Sequence, residues 1–144
     1  MAQHNDLGRI GENLAEKYLV NHDFKIVERD WRLGHNDIDL IAWDGNELVF
    51  IEIKTRRSNK CAEPEEWVDL EKQRSYVRLA DYYVTKNNIE EEVRFDIIGI
   101  ILNAQRQELH HLRRAFDASS VKAARNAKRQ NIHTPLETNH NAMR

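Results

Sequence analysis

The chain has 144 residues and one cysteine, Cys61, so no internal disulfide can form. A reducing, cytoplasmic setting is expected from that sparse cysteine usage. No histidine stands close to Cys61 in sequence, and it is read as structural rather than as a nucleophile. Long apolar runs are missing as well. The longest aliphatic stretch, Ile97 to Leu102, is interrupted by Gly99 and falls far short of the roughly 18 apolar residues that mark a membrane helix. The opening MAQHNDLGRIGEN has no basic region followed by an apolar one, so no secretion signal is expected. There is no glycine-rich phosphate loop and no internal repeat. The pair His110-His111 has no cysteine cluster near it, and alternation on a strand sends the two rings to opposite faces, which argues against zinc.

What is present suits one globular domain. Hydrophobic residues make up 40% of the chain and charged residues 32%. A chain of this length buries roughly 70% of its unfolded surface. The net charge of −2 is unevenly spread. Residues 119–144 carry Lys122, Arg125, Lys128, Arg129 and Arg144 against Glu137 alone, which leaves the remainder acidic. A folded domain over 1–118 and a basic, flexible tail over 119–144 are expected, with a short helix starting at Ser120 in the tail. An acidic body binds nucleic acid only through local basic patches, such as Lys54, Arg56, Arg57 and Lys60, or through the tail.

Periodicity gives an order of elements. Asp6 is a candidate cap for a first helix with Leu7, Ile10, Leu14, Tyr18 and Leu19 on its apolar stripe, ended by Asn21 to Asp23. Gly8 and Gly11 are unusual inside a helix and would permit close approach to a neighbouring layer. Strands are expected over 24–32, 37–43 and 48–55, joined by the turns LGHN and DGNE. On the first, Phe24, Ile26 and Glu28 would share one face, opposite Val27 and Trp31. After a polar connection, a helix from about Val68 to Asn87 has Leu70, Gln73, Val77, Ala80 and Val84 as its stripe. Strands over 92–102 and 107–112, joined by NAQR, close the sequence. Together these suggest an α/β fold, a mixed five-stranded sheet flanked by helices.

The segment NDIDLIAWDGNELVFIEIKTRR sets charges inside apolar strands. A turn centred between Gly45 and Asn46 pairs residues whose numbers sum to 91. That register puts Ile41 opposite Phe50 and Asp39 opposite Glu52. Ile38, Leu40, Ala42, Val49, Ile51 and Ile53 then form a wholly apolar face. The other face is apolar near the turn and carries Asp39, Glu52 and Lys54 further along. Two facing carboxylates repel unless a cation lies between them. Mg²⁺ takes oxygen ligands and keeps several waters, so two carboxylates and one backbone carbonyl suit it. Lys54 would project to the same side, where it could hold a metal-bound water or offset charge on a phosphate. The bland alternative is a solvated or structural salt bridge on a hairpin.

Several segments in order carry a more specific likeness. These are GRIGENLAEKYL, IDLIA, VFIEIKTR, PEEWVDLEKQRSYVRLADYY and RFDIIGI, spanning about Gly8 to Phe116. On them the chain resembles the YraN-type endonuclease-like family, within the PD-(D/E)xK nuclease superfamily and related to archaeal Holliday-junction resolvases. The resemblance implies a restriction-endonuclease-like fold and Mg²⁺-dependent hydrolysis of DNA phosphodiesters, with Mn²⁺ as substitute. Branched DNA and recombination or repair intermediates are the implied substrates, and resolvase relatives suggest a homodimer. By position, Asp39, Glu52 and the Ile53 carbonyl would hold the metal with help from Glu12, and Lys54 would be the catalytic lysine. Lys72 and Gln73 match polar positions on the second helix that face such sites. Arg56, Arg57 and Lys60 would contact phosphates. The chain departs from the family's usual Gly-Glu before Ile-Asp-Leu, having Asn36-Asp37 instead. Trp31, Trp43 and Trp67 could stack on bases, but core or rim packing is the expected use of each. The alternative function is a non-catalytic module of the same fold that binds nucleic acid or a repair protein.

Overall fold

The computed structural model describes residues 2–58 and 68–119, with side chains from Asp6 onward. Helix α1 (Ala2–Asn21) precedes strands β1 (Lys25–Leu33), β2 (Asn36–Asp44) and β3 (Glu47–Arg56). Helix α2 (Leu70–Lys86) then leads to β4 (Glu92–Leu102) and β5 (Gln107–Phe116). The strands lie in chain order across one sheet. All neighbours are antiparallel except β3 and β4, which are parallel. A parallel pair needs a crossover, and α2 lies within it. The fold is therefore α/β with a mixed five-stranded sheet and a helix on each side. Lys60, Cys61, Trp67 and the basic tail from Ser120 onward lie outside the described residues.

The two faces of the central strands explain the two layers. Leu40, Ala42, Val49, Ile51, Ile53, Ile98 and Ile100 pack with Ala15 and Leu19 of α1. Ile41, Leu48, Phe50, Phe95 and Ile97 pack with Tyr76, Leu79, Ala80 and Tyr83 of α2. Covered on both sides, β3 and β4 read as nearly continuous apolar runs. The edge strands β1 and β5 alternate with exposed charge, which blunts edge-to-edge pairing.

Several local expectations change. Helix α1 begins at Ala2, so Asp6 lies within it rather than capping it. Ile10 is 48% exposed and faces away from the core; Gly11, Ala15 and Leu19 form the buried row. The helix closes as anticipated, with Asp23 at φ 69 and the Phe24 amide donating to the Leu19 carbonyl at 2.9 Å. The β1–β2 register shifts between Ile26 and Glu28, so a bulge at Val27 moves Glu28 to the α2 face with Trp31. Ile38 likewise packs on the α2 side, not with Leu40 and Ala42. Asp69 caps α2 by accepting from the Lys72 amide at 2.9 Å. The buried stripe of α2 is Tyr76, Leu79, Ala80 and Tyr83, with Val77 and Val84 beside it. The tyrosines hold the inner row because their rings fill the core while their hydroxyls reach Glu52 and Glu28.

On the α1 face a second polar group is buried. Asp96 accepts from the Arg94 guanidinium at 2.9 and 3.0 Å, from the Arg114 amide at 3.0 Å, and meets His111 Nε2 at 2.7 Å. His111 Nδ1 lies 2.9 Å from the Tyr18 hydroxyl, which ties α1 to β5. Burial pushes the Asp96 carboxyl up, but these hydrogen bonds outweigh it and hold it below its ordinary value. His110 points outward to Glu108, so the two adjacent histidines do lie on opposite faces.

Gly11 is where α1 touches β3. A Cβ there would stand 1.9 Å from Thr55 Oγ1 and 3.0 Å from Thr55 Cβ. Gly8, by contrast, has open space around it and makes no close approach. Gly11→Ala should therefore cost about 1–3 kcal/mol through overpacking, whereas Gly8→Ala should gain about 0.5–1 kcal/mol of helix propensity. Urea unfolding of both variants checks this, and equal stability of the two would contradict the close contact.

Candidate active site

The β2–β3 hairpin forms with the expected register. Gly45 supplies a φ of 61 in the turn, and Leu40 pairs with Ile51 and Ile41 with Phe50. The ladder then stops: Leu40–Ile51 is its last pair, and Asp39 and Glu52 are not directly opposed. Side-chain bonds take over from the backbone there. Asp39 Oδ2 accepts from the Ile53 amide at 2.8 Å, and the Asp39 amide donates to the Tyr76 hydroxyl at 3.1 Å.

Glu52 is 2% exposed in the middle of the sheet. Its Oε1 accepts from the Tyr76 hydroxyl at 2.5 Å, and its Oε2 lies 3.5 Å from Lys54 Nζ. A buried carboxylate needs such partners. Lys54 itself is about one-third exposed, so its ammonium stands at the rim between Glu52 and solvent. Asp39 and Glu52 are close enough for the charge on Glu52 to raise the Asp39 carboxyl. The structure thus brings Asp39, Glu52 and Lys54 near one another, but not through the direct Asp39–Glu52 pairing that the hairpin pattern predicts.

Two elements outside the hairpin complete the cluster. Carboxylate oxygens of Glu12 on α1, Asp30 on β1 and Asp39 lie within 4.8 Å of one another. Burial and the Glu52 charge push the Asp39 carboxyl up to about 8. Burial and the charges of Asp30 and Asp37 raise Glu12 as well. Asp37 therefore acts on the cluster at a distance, without joining its close trio. Hard oxygen donors crowded this closely, with one ammonium beside them, fit a divalent cation such as Mg²⁺.

The remaining expected residues spread around this core. Lys72 Nζ stands 6.0 Å from the centre of the Tyr76 ring, on the site side of α2. Gln73 instead spends its amide on the Val68 carbonyl at 3.0 Å, where it secures the start of α2. Arg56 and Arg57 are exposed beyond Lys54 at the end of β3, and the Arg57 carbonyl accepts from Asn103. Trp31 packs on Tyr82 and Tyr83, and Trp43 borders the α2-side core.

Sequence reasoning missed Asp30 and Tyr76. Asp30 reaches Glu12 and Asp39 although the neighbouring Trp31 packs toward α2; β1 is bulged at Val27 and Asp30 itself takes a φ of 50. No residue in ERDW announces that distortion. Tyr76 stood one position off the stripe assigned to the core, and only the correct phase of α2 aims it at the hairpin.

The β2–β3 ladder thus ends at a group of acids with a lysine beside Glu52. The chain belongs to the family described as uncharacterised protein family UPF0102, the YraN group, whose profile matches residues 11–100. A UPF0102 protein of Bacteroides thetaiotaomicron is 46% identical over 116 residues, covering 81% of this chain and 96% of its own. One from Chlorobium chlorochromatii is 43% identical over 117 residues, covering 77% and 91%. A solved structure titled "Crystal structure of SSO0001" aligns with 80% of this chain and 54% of its own at 19% identity and a TM-score of 0.36.

The raised Asp39 carboxyl has a pH consequence. Its folded value lies above the ordinary carboxylate value, so the folded state holds a proton that the unfolded chain releases. In metal-free protein, stability is greatest below about pH 4 on this account and falls as pH rises toward about 8. The fall should be on the order of a few kcal/mol. Thermal melts from pH 5 to 9 check this: the decline should be largely absent in Asp39→Asn, and a parent melt that is flat over that range would contradict it. Asp96 and Glu47, whose values are lowered, act in the opposite sense and at lower pH.

Proposed function

We propose that the protein is a metal-dependent nuclease that hydrolyses phosphodiester bonds in DNA, with branched recombination or repair intermediates as the substrate class. The observation that carries this reading is the meeting of Glu12, Asp30 and Asp39 with the buried Glu52 and its Lys54 partner. Asp39, Glu12 and Asp30 would hold Mg²⁺ or Mn²⁺. Glu52 would join them from the other side of the split, alongside the Ile53 carbonyl. The bound cation would polarise a phosphate oxygen and favour deprotonation of an attacking water.

The chain's own groups account for the rest. Lys54 reaches from buried Glu52 to the rim, where its ammonium can align a water and offset charge developing on the scissile phosphate. Lys72, above the Tyr76 ring, adds positive charge on the neighbouring helix. Arg56, Arg57 and Lys60 follow the lysine along the chain, where the DNA backbone would pass. Gln73 contributes by fixing the start of α2 rather than by touching DNA. Acidic residues outnumber basic ones among the described residues, so phosphate contact would fall on this rim or on the basic tail. A homodimer would present two such rims to a branched substrate, in the cytoplasm. Among the described residues no helix is long and apolar enough to cross a membrane.

One observation favours the second reading, a non-cutting module that binds nucleic acid or a repair protein: both Glu52 oxygens already have protein partners. Cleavage assays on branched and linear DNA separate the two. The nuclease should cut only with Mg²⁺ or Mn²⁺ and lose about 10²- to 10³-fold in rate in Glu52→Ala and Lys54→Ala proteins that remain folded. Undiminished cutting by those variants rules out the mechanism. DNA binding without turnover in any divalent metal selects the module.

A further inference from the structure

We infer that Tyr76 is a positioning residue of this site: its hydroxyl parts β2 from β3 and sets how Asp39 and Glu52 face each other. The inference rests on the proposed metal-dependent reading, but the parting of the strands can be tested without it.

The β2–β3 register would carry on past Leu40–Ile51 to set Asp39 against Glu52, yet the ladder ends there. At that point one phenolic oxygen touches both strands. It accepts from the Asp39 amide of β2 at 3.1 Å and lies 3.3 Å from the Ile51 carbonyl of β3. Its single proton goes to Glu52 Oε1, at 2.5 Å, which accepts as a carboxylate. The next ladder donor on β3, the Ile53 amide, turns to the Asp39 carboxylate instead. The Tyr76 ring is fully buried in the α2-side core with Phe50, Leu79 and Tyr83 and cannot swing aside without vacating that space. The hydroxyl is therefore a fixed spacer delivered by α2. It stands where the strands would otherwise close together, with the Glu52 carboxylate buried against it and the Asp39 amide bonded to it.

Repulsion between Asp39 and Glu52 is the competing cause of the split, and two variants distinguish them. Tyr76→Phe keeps the ring and removes only the oxygen. Crystal structures of this variant should show Asp39 and Glu52 drawn into the ladder, and calorimetric titration with Mn²⁺ should show binding weakened about tenfold or more. Glu52→Gln keeps an acceptor for the hydroxyl but removes the charge; its strands should stay parted, with Tyr76 in place. A parted Tyr76→Phe with the parent's Mn²⁺ affinity overturns the inference, and so does a zipped Glu52→Gln. Should Tyr76→Phe fail to fold, the Glu52→Gln structure decides alone. A parent that takes up no Mn²⁺ defeats the metal-dependent reading, while the strand spacing in the variants still decides the role of Tyr76.

Discussion

A carboxylate buried at the centre of the sheet is the constraint around which the molecule is arranged. Glu52 sits on β3, the middle strand, between Ile51 and Ile53 and beside Ile97 of β4. Leaving its charge unpartnered there would cost several kcal/mol. Tyr76 and Lys54 satisfy it, one from α2 and one from two residues along the same strand. Once Tyr76 is committed, the phase of α2 is set, and with it which side chains line the core beneath. Once the strands part, the Asp39 carboxyl accepts from the Ile53 amide and lies close to Glu12 and Asp30. Both helices are thus tied to β3, α2 through the Tyr76 hydroxyl on Glu52 and α1 through the close contact of Gly11 with Thr55.

The electrostatics of the two faces differ in kind. On the α1 face Asp96 is surrounded by Arg94, His111 and the Arg114 amide, and every charge there is answered by a protein partner. That group is a finished structural network. Around Asp39 the balance differs: Glu12, Asp30, Asp39 and Glu52 gather there, Lys54 reaches Glu52 and Arg9 acts on Glu12, yet Asp39 and Glu12 are held above their ordinary values. Perturbed carboxyls gathered where the strands part are the pattern on which the proposed site rests.

Much of this was legible in the residues. The hairpin register followed from GN at the turn and from apolar alternation on both sides, and it held wherever the strands pair. The element order and the mixed sheet followed from periodicity, since long runs bounded by polar turns leave few choices. The close approach at Gly11 was readable because glycine in a helix needs a reason; that Gly8 has none was not. What failed was phase. One bulge at Val27 and one left-handed residue at Asp30 redirect the rest of β1, and neither is spelled by composition. The stripe on α2 was misjudged because tyrosine counts as polar at its tip and apolar along its ring. The site's second half, Asp30 and Tyr76, was hidden by those two errors together.

The central claim is that the carboxylates around Asp39 exist to hold a divalent cation. Anomalous diffraction from a crystal soaked in Mn²⁺ tests it most directly. The account predicts a manganese peak within coordinating distance of Asp39, bridged to Glu12 or Asp30 and facing Glu52. A well-ordered crystal with no anomalous density at that cluster, at manganese concentrations that saturate ordinary carboxylate sites, would contradict it.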